Sequence, residues 1–172
     1  HAAQSLARNP NHIEISANQY ACFDSKGASV DMLDAVVLSA LEIDKRFNVN
    51  VLTGSDGVIR GASGGHSDTA VASKLSIIVA PLVRGRIPTL VDEVITCVTP
   101  GSSVDILVTD HGIAVNPARP ELKQQLESQG IKTVSIDWLR ERAELLTGKP
   151  NPIEFTDKVV AVVRYRDGSV ID

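Results

Sequence analysis

The chain has 172 residues, 43% of them hydrophobic, and a formal net charge of −4. Its length and apolar share suit one domain with a real core and argue against disorder. A net negative chain has no generic attraction to phosphate backbones or anionic lipid, so nucleic acid is not an expected partner.

Aromatic residues make up only 3%, so Val, Ile, Leu and Ala must fill the core. Such a core fits a buried parallel sheet better than a platform for stacked bases. No apolar run approaches the roughly 20 residues that cross a bilayer, and the first residues lack a secretory pattern. Cys22 and Cys97 stand far apart without CxxC spacing, which reads as two reduced, buried thiols of a cytoplasmic protein. The chain opens on His1 rather than Met and stops at Asp172 just as a strand begins. Both ends read as a longer parent that has been trimmed, with residues 1–7 a ragged or helical extension.

In chain order, short apolar runs predict strands over residues 12–16, 48–52, 76–80, 103–109 and 158–165. Residues 29–47 are ambiguous. Met32, Leu33, Val36, Val37, Ala40 and Leu41 space like a helix face, yet residues 35–38 are an apolar run of strand length. A helix is predicted over 67–73, with Ser67 or Asp68 as its N-cap. Another runs over 120–129, with Pro at its start and Gly130 just past its end. A third covers 137–146 from an N-cap-type Asp137, and Arg166-Asp-Gly168 marks a hairpin turn. No linker splits the chain, and alternating strands and helices predict a layered α/β fold with a mostly parallel sheet.

The densest chemical signal is Gly54-Ser-Asp-Gly57-Val-Ile-Arg60-Gly61-Ala-Ser63-Gly64-Gly65-His66-Ser-Asp68. Glycines let a backbone turn with positive φ and approach a ligand closely. Free N–H groups there suit a phosphate, a carboxylate or a developing oxyanion; the bland alternative is a tight turn with no ligand. The loop is not a P-loop, since no Lys follows its last Gly, and it lacks the GxGxxG order of a dinucleotide site. It does match G-x-S-x-G, with Ser63 as a would-be nucleophile, but Asp110 and His111 are adjacent and cannot both complete a triad. His66, His111, Asp68 and Asp110 imitate a metal cluster without the spacing of one, so no metal is expected. Arg84 and Arg86 sit on a loop bounded by Pro81 and Pro88. With Arg60 they offer guanidinium forks for anions, against the plainer reading of a solvated surface loop.

Several stretches taken together resemble a known family. They are His12-Ile-Glu-Ile-Ser-Ala-Asn18, Asn48-Val-Asn-Val-Leu-Thr-Gly54, Arg60-Gly-Ala-Ser-Gly-Gly-His-Ser-Asp68, Ala80-Pro-Leu-Val-Arg-Gly-Arg-Ile-Pro88 and Val108-Thr-Asp-His-Gly-Ile-Ala-Val-Asn-Pro117. Phe155-Thr-Asp-Lys158 and Arg164-Tyr-Arg-Asp-Gly168 complete the set. From about Arg8 to Asp172, nearly its whole length, the chain is similar to the C-terminal half of the citrate lyase alpha-chain family. The resemblance implies a CoA-transferase-like, Rossmann-like fold with residues 35–44 as a central strand and residues 16–23 as the helix before it.

It further implies a transferase that exchanges acetyl for citryl on an acyl-carrier-protein or CoA thioester through a mixed anhydride, that is, a citrate CoA-transferase. The expected partners are citrate, the acyl carrier protein subunit, the citryl lyase subunit and the N-terminal half of its own chain. No cofactor would be tightly bound; acetyl-CoA or a phosphopantetheine-type thioester would be substrate.

Carried over, the backbone at Gly64 and Gly65 would donate to the thioester oxyanion. Arg60, Gly61, Ser63, His66, Arg84 and Arg86 would contact substrate or CoA. The Ser-Glu-Asn-Gly motif that supplies the nucleophilic glutamate of ordinary CoA-transferases is absent, so citrate's own carboxylate would attack. The competing readings are a non-catalytic assembly module and a sugar-phosphate enzyme of the same fold.

Overall fold

A computed structural model describes residues 2–21 and 27–172. Two short helices come first, α1 (Ala2–Arg8) and α2 (Ala17–Ala21), neither with a buried residue. Then come β1 (Val36–Leu38), β2 (Glu42–Asp44), β3 (Val49–Asn50), α3 (His66–Ala72) and β4 (Ser76–Val79). The remainder comprises β5 (Val83–Arg84), β6 (Ile87–Pro88), β7 (Leu90–Val91), β8 (Ile106–Thr109), β9 (Gly112–Val115), α4 (Pro120–Ser128) and α5 (Ile136–Thr147).

Strands β1, β4 and β8 run parallel in one sheet, and β9 returns antiparallel at its far edge. In a second sheet β2 lies between antiparallel β3 and parallel β7, while β5 and β6 form a small hairpin. The fold is α/β with a mostly parallel main sheet, as expected.

One apolar cluster unites the layers. Ile78, Leu107 and Ala114 from the main sheet join Ile43, Val49 and Leu90 from the second sheet, together with Phe47. Helix α5 adds Ile136, Leu139 and Ala143, spaced so that they share one helix face. Each fully buried Ile or Leu contributes about 2 kcal/mol. The pleat sends alternate residues of β4 the other way, so Ile77 is half-buried and Val79 exposed.

Helix α5 starts one residue before the predicted Asp137, because the Ser135 hydroxyl caps it by accepting from Trp138 N at 3.1 Å. Helix α3 likewise begins at His66 after Gly65, without a side-chain cap, so neither Ser67 nor Asp68 is its N-cap. Helix α4 ends as predicted, with Gly130 beyond it at φ 80°.

Three strand predictions need correction. Residues 12–16 form no strand; Ile13 is 78% exposed, and no strand among the described residues pairs with them. Residues 158–165 also form no strand, although their far end does turn back as a hairpin. There Tyr165 N donates to Ser169 O at 2.8 Å and Ile171 N donates to Val163 O at 2.9 Å.

The third correction concerns residues 35–44, which are not one central strand. β1 is an edge strand of the main sheet, and the chain then switches to β2 in the second. Polar anchoring explains the break. Asn50 Nδ2 donates to the buried Glu42 carboxylate at 2.9 Å, and Asp44 accepts from Arg46 N, Asn48 N and Asn48 Nδ2. These bonds tie β2 to the turn before β3, where extension of β1 would leave both carboxylates buried without donors.

In the segment ahead of these strands, the predicted helix over 16–23 is α2 within Ala17–Ala21; Cys22 and Phe23 lie outside the described residues. Cys97 is free and half-buried, and burial pushes its thiol up to about 11, far from the thiolate that reacts. No helix among the described residues is long and apolar enough to cross a membrane.

Candidate functional site

The glycine loop is the far arm of a tight hairpin. Arg60 N and Gly61 N both donate to Leu52 O, at 2.8 and 3.1 Å, and Gly54 N donates to Val58 O at 2.9 Å. A Cβ on Gly61 would lie 2.7 Å from the carbonyl oxygen of Val51, so only glycine lets these backbones meet. At Gly64 the requirement is conformational: φ is 51°, while a Cβ there would meet nothing within 4 Å. Gly65 instead lies beneath the Tyr20 ring of α2, 2.9 Å from where a Cβ would stand. The loop closes when His66 N donates to Ser63 O at 3.0 Å. Among the described residues, the N–H groups of Gly64 and Gly65 donate to no acceptor. Two main-chain donors are thus free at an exposed bend.

The predicted side chains divide into two groups. His66 is buried, with Nδ1 2.7 Å from Thr99 Oγ1 and Nε2 2.9 Å from Ser39 O. Burial pushes its imidazole below the ordinary value, and the bond to Ser39 O only partly opposes this. Arg84 points its guanidinium at the carbonyls of Ala40 and Leu41, the latter at 3.3 Å. Both residues are engaged within the protein.

Arg60 pairs with Asp56 on its own hairpin yet stays 58% exposed, and it holds the Asp56 carboxyl below its usual range. Arg86 is exposed beside Gly85, whose φ of 61° makes the β5–β6 turn, and has no ion pair among the described residues. Ser63 is exposed, and the ring of His66 bonds elsewhere, so the G-x-S-x-G pattern has no base beside its serine. Asp110 accepts from Leu82 N at 2.7 Å and serves that backbone, while His111 stays 3.9 Å from it. Among the described residues no three metal-ligating side chains gather.

A cavity of about 620 Å³ lies elsewhere, between β6–β7, α5 and residues 148–155. Its rim carries Glu42, Asp92, Glu93 and Glu144 against Arg140 and Lys149, an acidic balance unsuited to a polycarboxylate. Of the loop signal only Ser55 lines it; Gly61, Ser63, Gly64, Gly65, His66 and the three arginines do not. Charge therefore favours the glycine loop over the larger hollow.

Against known proteins, the family model for the citrate lyase alpha subunit (CitF) matches residues 1–172. The chain belongs to the citrate lyase alpha-subunit family. It is 85% identical over 172 residues to the citrate lyase alpha chain of Escherichia coli (strain K12), and 72% over 171 residues to that of Haemophilus influenzae. These alignments cover 100% and 99% of this chain but 34% of each relative, so it spans about a third of their length. A crystal structure of a citrate lyase alpha subunit in complex with citrate, from Streptococcus mutans, superposes with a TM-score of 0.95 at 56% identity. That superposition covers 99% of this chain and 34% of the other.

Sequence reasoning missed Tyr20, which covers Gly65, and Thr99, which holds His66. Neither leaves a local signal: Thr99 meets the imidazole because α3 packs against the short 3-10 turn Gly101–Ser103 that follows it.

Proposed function

We propose that this chain supplies the thioester-facing loop of a citrate:acyl-carrier or citrate CoA-transferase within citrate lyase. A citrate carboxylate oxygen attacks the acetyl thioester carbonyl, and the resulting oxyanion accepts from Gly64 N–H and Gly65 N–H. Collapse expels the thiolate and leaves a mixed acetic–citric anhydride. The thiolate then attacks the citryl carbonyl, releasing acetate and forming the citryl thioester. Main-chain donors fixed in advance are the class of group that stabilises such a charge most. The exposed guanidiniums of Arg86 and Arg60 would take citrate's remaining carboxylates, with Gly61 and Ser63 beside the thioester.

The observation carrying this reading is the pair of unengaged amides at a bend whose φ only glycine adopts readily. The citrate in the Streptococcus mutans relative supports the substrate class. The carrier protein, the lyase subunit and the remaining two thirds of the alpha chain are the partners this reading requires.

The test is acetyl-to-citryl exchange by the complete alpha chain that carries these residues. Gly64→Val, strained by φ and crowding the donors, should lower kcat by about a hundredfold or more. Full exchange by a folded Gly64→Val variant would remove the loop from the reaction.

A further inference from the structure

The break between β1 and β2 leaves the carbonyls of Ser39, Ala40 and Leu41 outside any strand ladder. Side chains take all three. His66 Nε2 donates to Ser39 O at 2.9 Å, and the two terminal nitrogens of Arg84 donate to Ala40 O and Leu41 O. We infer that His66 and Arg84 are positioning residues that clamp this one backbone segment, and through it hold the glycine loop and the Arg86 turn in register. Their role rests on the transferase reading above and assigns them no contact with substrate, because His66 Nε2 and one N–H of each terminal Arg84 nitrogen are directed at backbone carbonyls.

The chemistry of the bonds fixes the imidazole's state. A carbonyl only accepts, so Nε2 carries the proton. In the neutral ring Nδ1 is then bare and accepts from the Thr99 hydroxyl at 2.7 Å. Thr99 itself is tied to β3, through Val49 N to Thr99 O at 2.9 Å and Thr99 N to Val49 O at 3.1 Å. One ring therefore joins the end of the main sheet to the second sheet. It does so from the residue that directly follows Gly65. Arg84 grips the adjoining carbonyls from the residue directly before Gly85-Arg86. A shift of residues 39–41 would move the oxyanion donors and the guanidinium of Arg86 relative to one another.

The experiment uses the complete alpha chain, with exchange kinetics and hydrogen exchange read on the same variants. His66→Ala and Arg84→Ala should each lower kcat by about a hundredfold, the cost of an ångström's misplacement. KM for the thioester should stay within about twofold, since no substrate contact is removed. Amide exchange over residues 61–68 should quicken in both variants. His66→Gln, whose side-chain amide N–H can reach Ser39 O, should recover most of kcat.

A raised KM with kcat preserved would overturn the proposal, as would unchanged exchange over 61–68 in both Ala variants. A ring protonated at Nδ1 alone, by ¹⁵N-resolved NMR of labelled histidine, would do so as well. Gly64→Val separates the two ideas: its full turnover sinks the loop reading and leaves the clamp to the amide-exchange and NMR results. A dead Gly64→Val beside a normal His66→Ala sinks the clamp alone.

Discussion

Residues 76–80 and 159–163 carry nearly the same chemistry, Ser-Ile-Ile-Val-Ala against Val-Val-Ala-Val-Val, and differ in their surroundings. The first contains β4, bonded on both edges to β1 and β8, with Ile78 0% exposed. In the second, Val159 is 77% and Val160 81% exposed, and the ladder reduces to a single bridge between Arg164 and Val170. An apolar run is thus permission to form a strand, and neighbours on its edges and face decide whether one forms. Among the described residues, no strand supplies such neighbours for residues 159–163.

The largest effect that would sharpen this contrast lies where backbone meets backbone. In Gly101→Ala the new Cβ would sit 1.8 Å from the carbonyl oxygen of Arg46. The cost should be about 4 kcal/mol or more in urea denaturation, at the far end of the mutational range. Next, Ile78→Ala should cost about 3 kcal/mol, a cavity in a site with no room to collapse.

A smaller effect follows pH. His66 is held neutral, so its folded pKa is below the unfolded 6.5 and the unfolded chain binds more protons in between. Its contribution is whole above 6.5, declines as pH falls from there toward the folded value, and levels off below it. The slope it adds is at most about 1.4 kcal/mol per pH unit, and His66→Gln should remove it. The smallest is Val160→Ala, within about 0.5 kcal/mol in this chain. Equal losses for Ile78→Ala and Val160→Ala would break the comparison.

The glycine loop was legible because its residue types are unusual locally: Gly61 and Gly64 each meet a demand that no other residue satisfies well, one steric and one conformational. The roles of His66 and Arg84 were not legible. Both read as anion or substrate contacts by charge and position, and the structure turns His66 Nε2 and the two terminal nitrogens of Arg84 toward carbonyls exposed by a strand switch. That switch depends on Glu42 and Asp44 finding donors from Asn50 and Asn48, a pairing that the apolar spacing of residues 29–47 does not encode.

The sequence by itself determined the family, the α/β class, the helix ends at Pro120 and Gly130, and the bend at Gly64, because each rests on local residue chemistry. Tertiary structure alone decided that residues 35–44 divide between two sheets, that residues 158–165 form no strand, and that His66 faces inward. Those outcomes turn on which buried carbonyls and carboxylates find donors from distant parts of the chain.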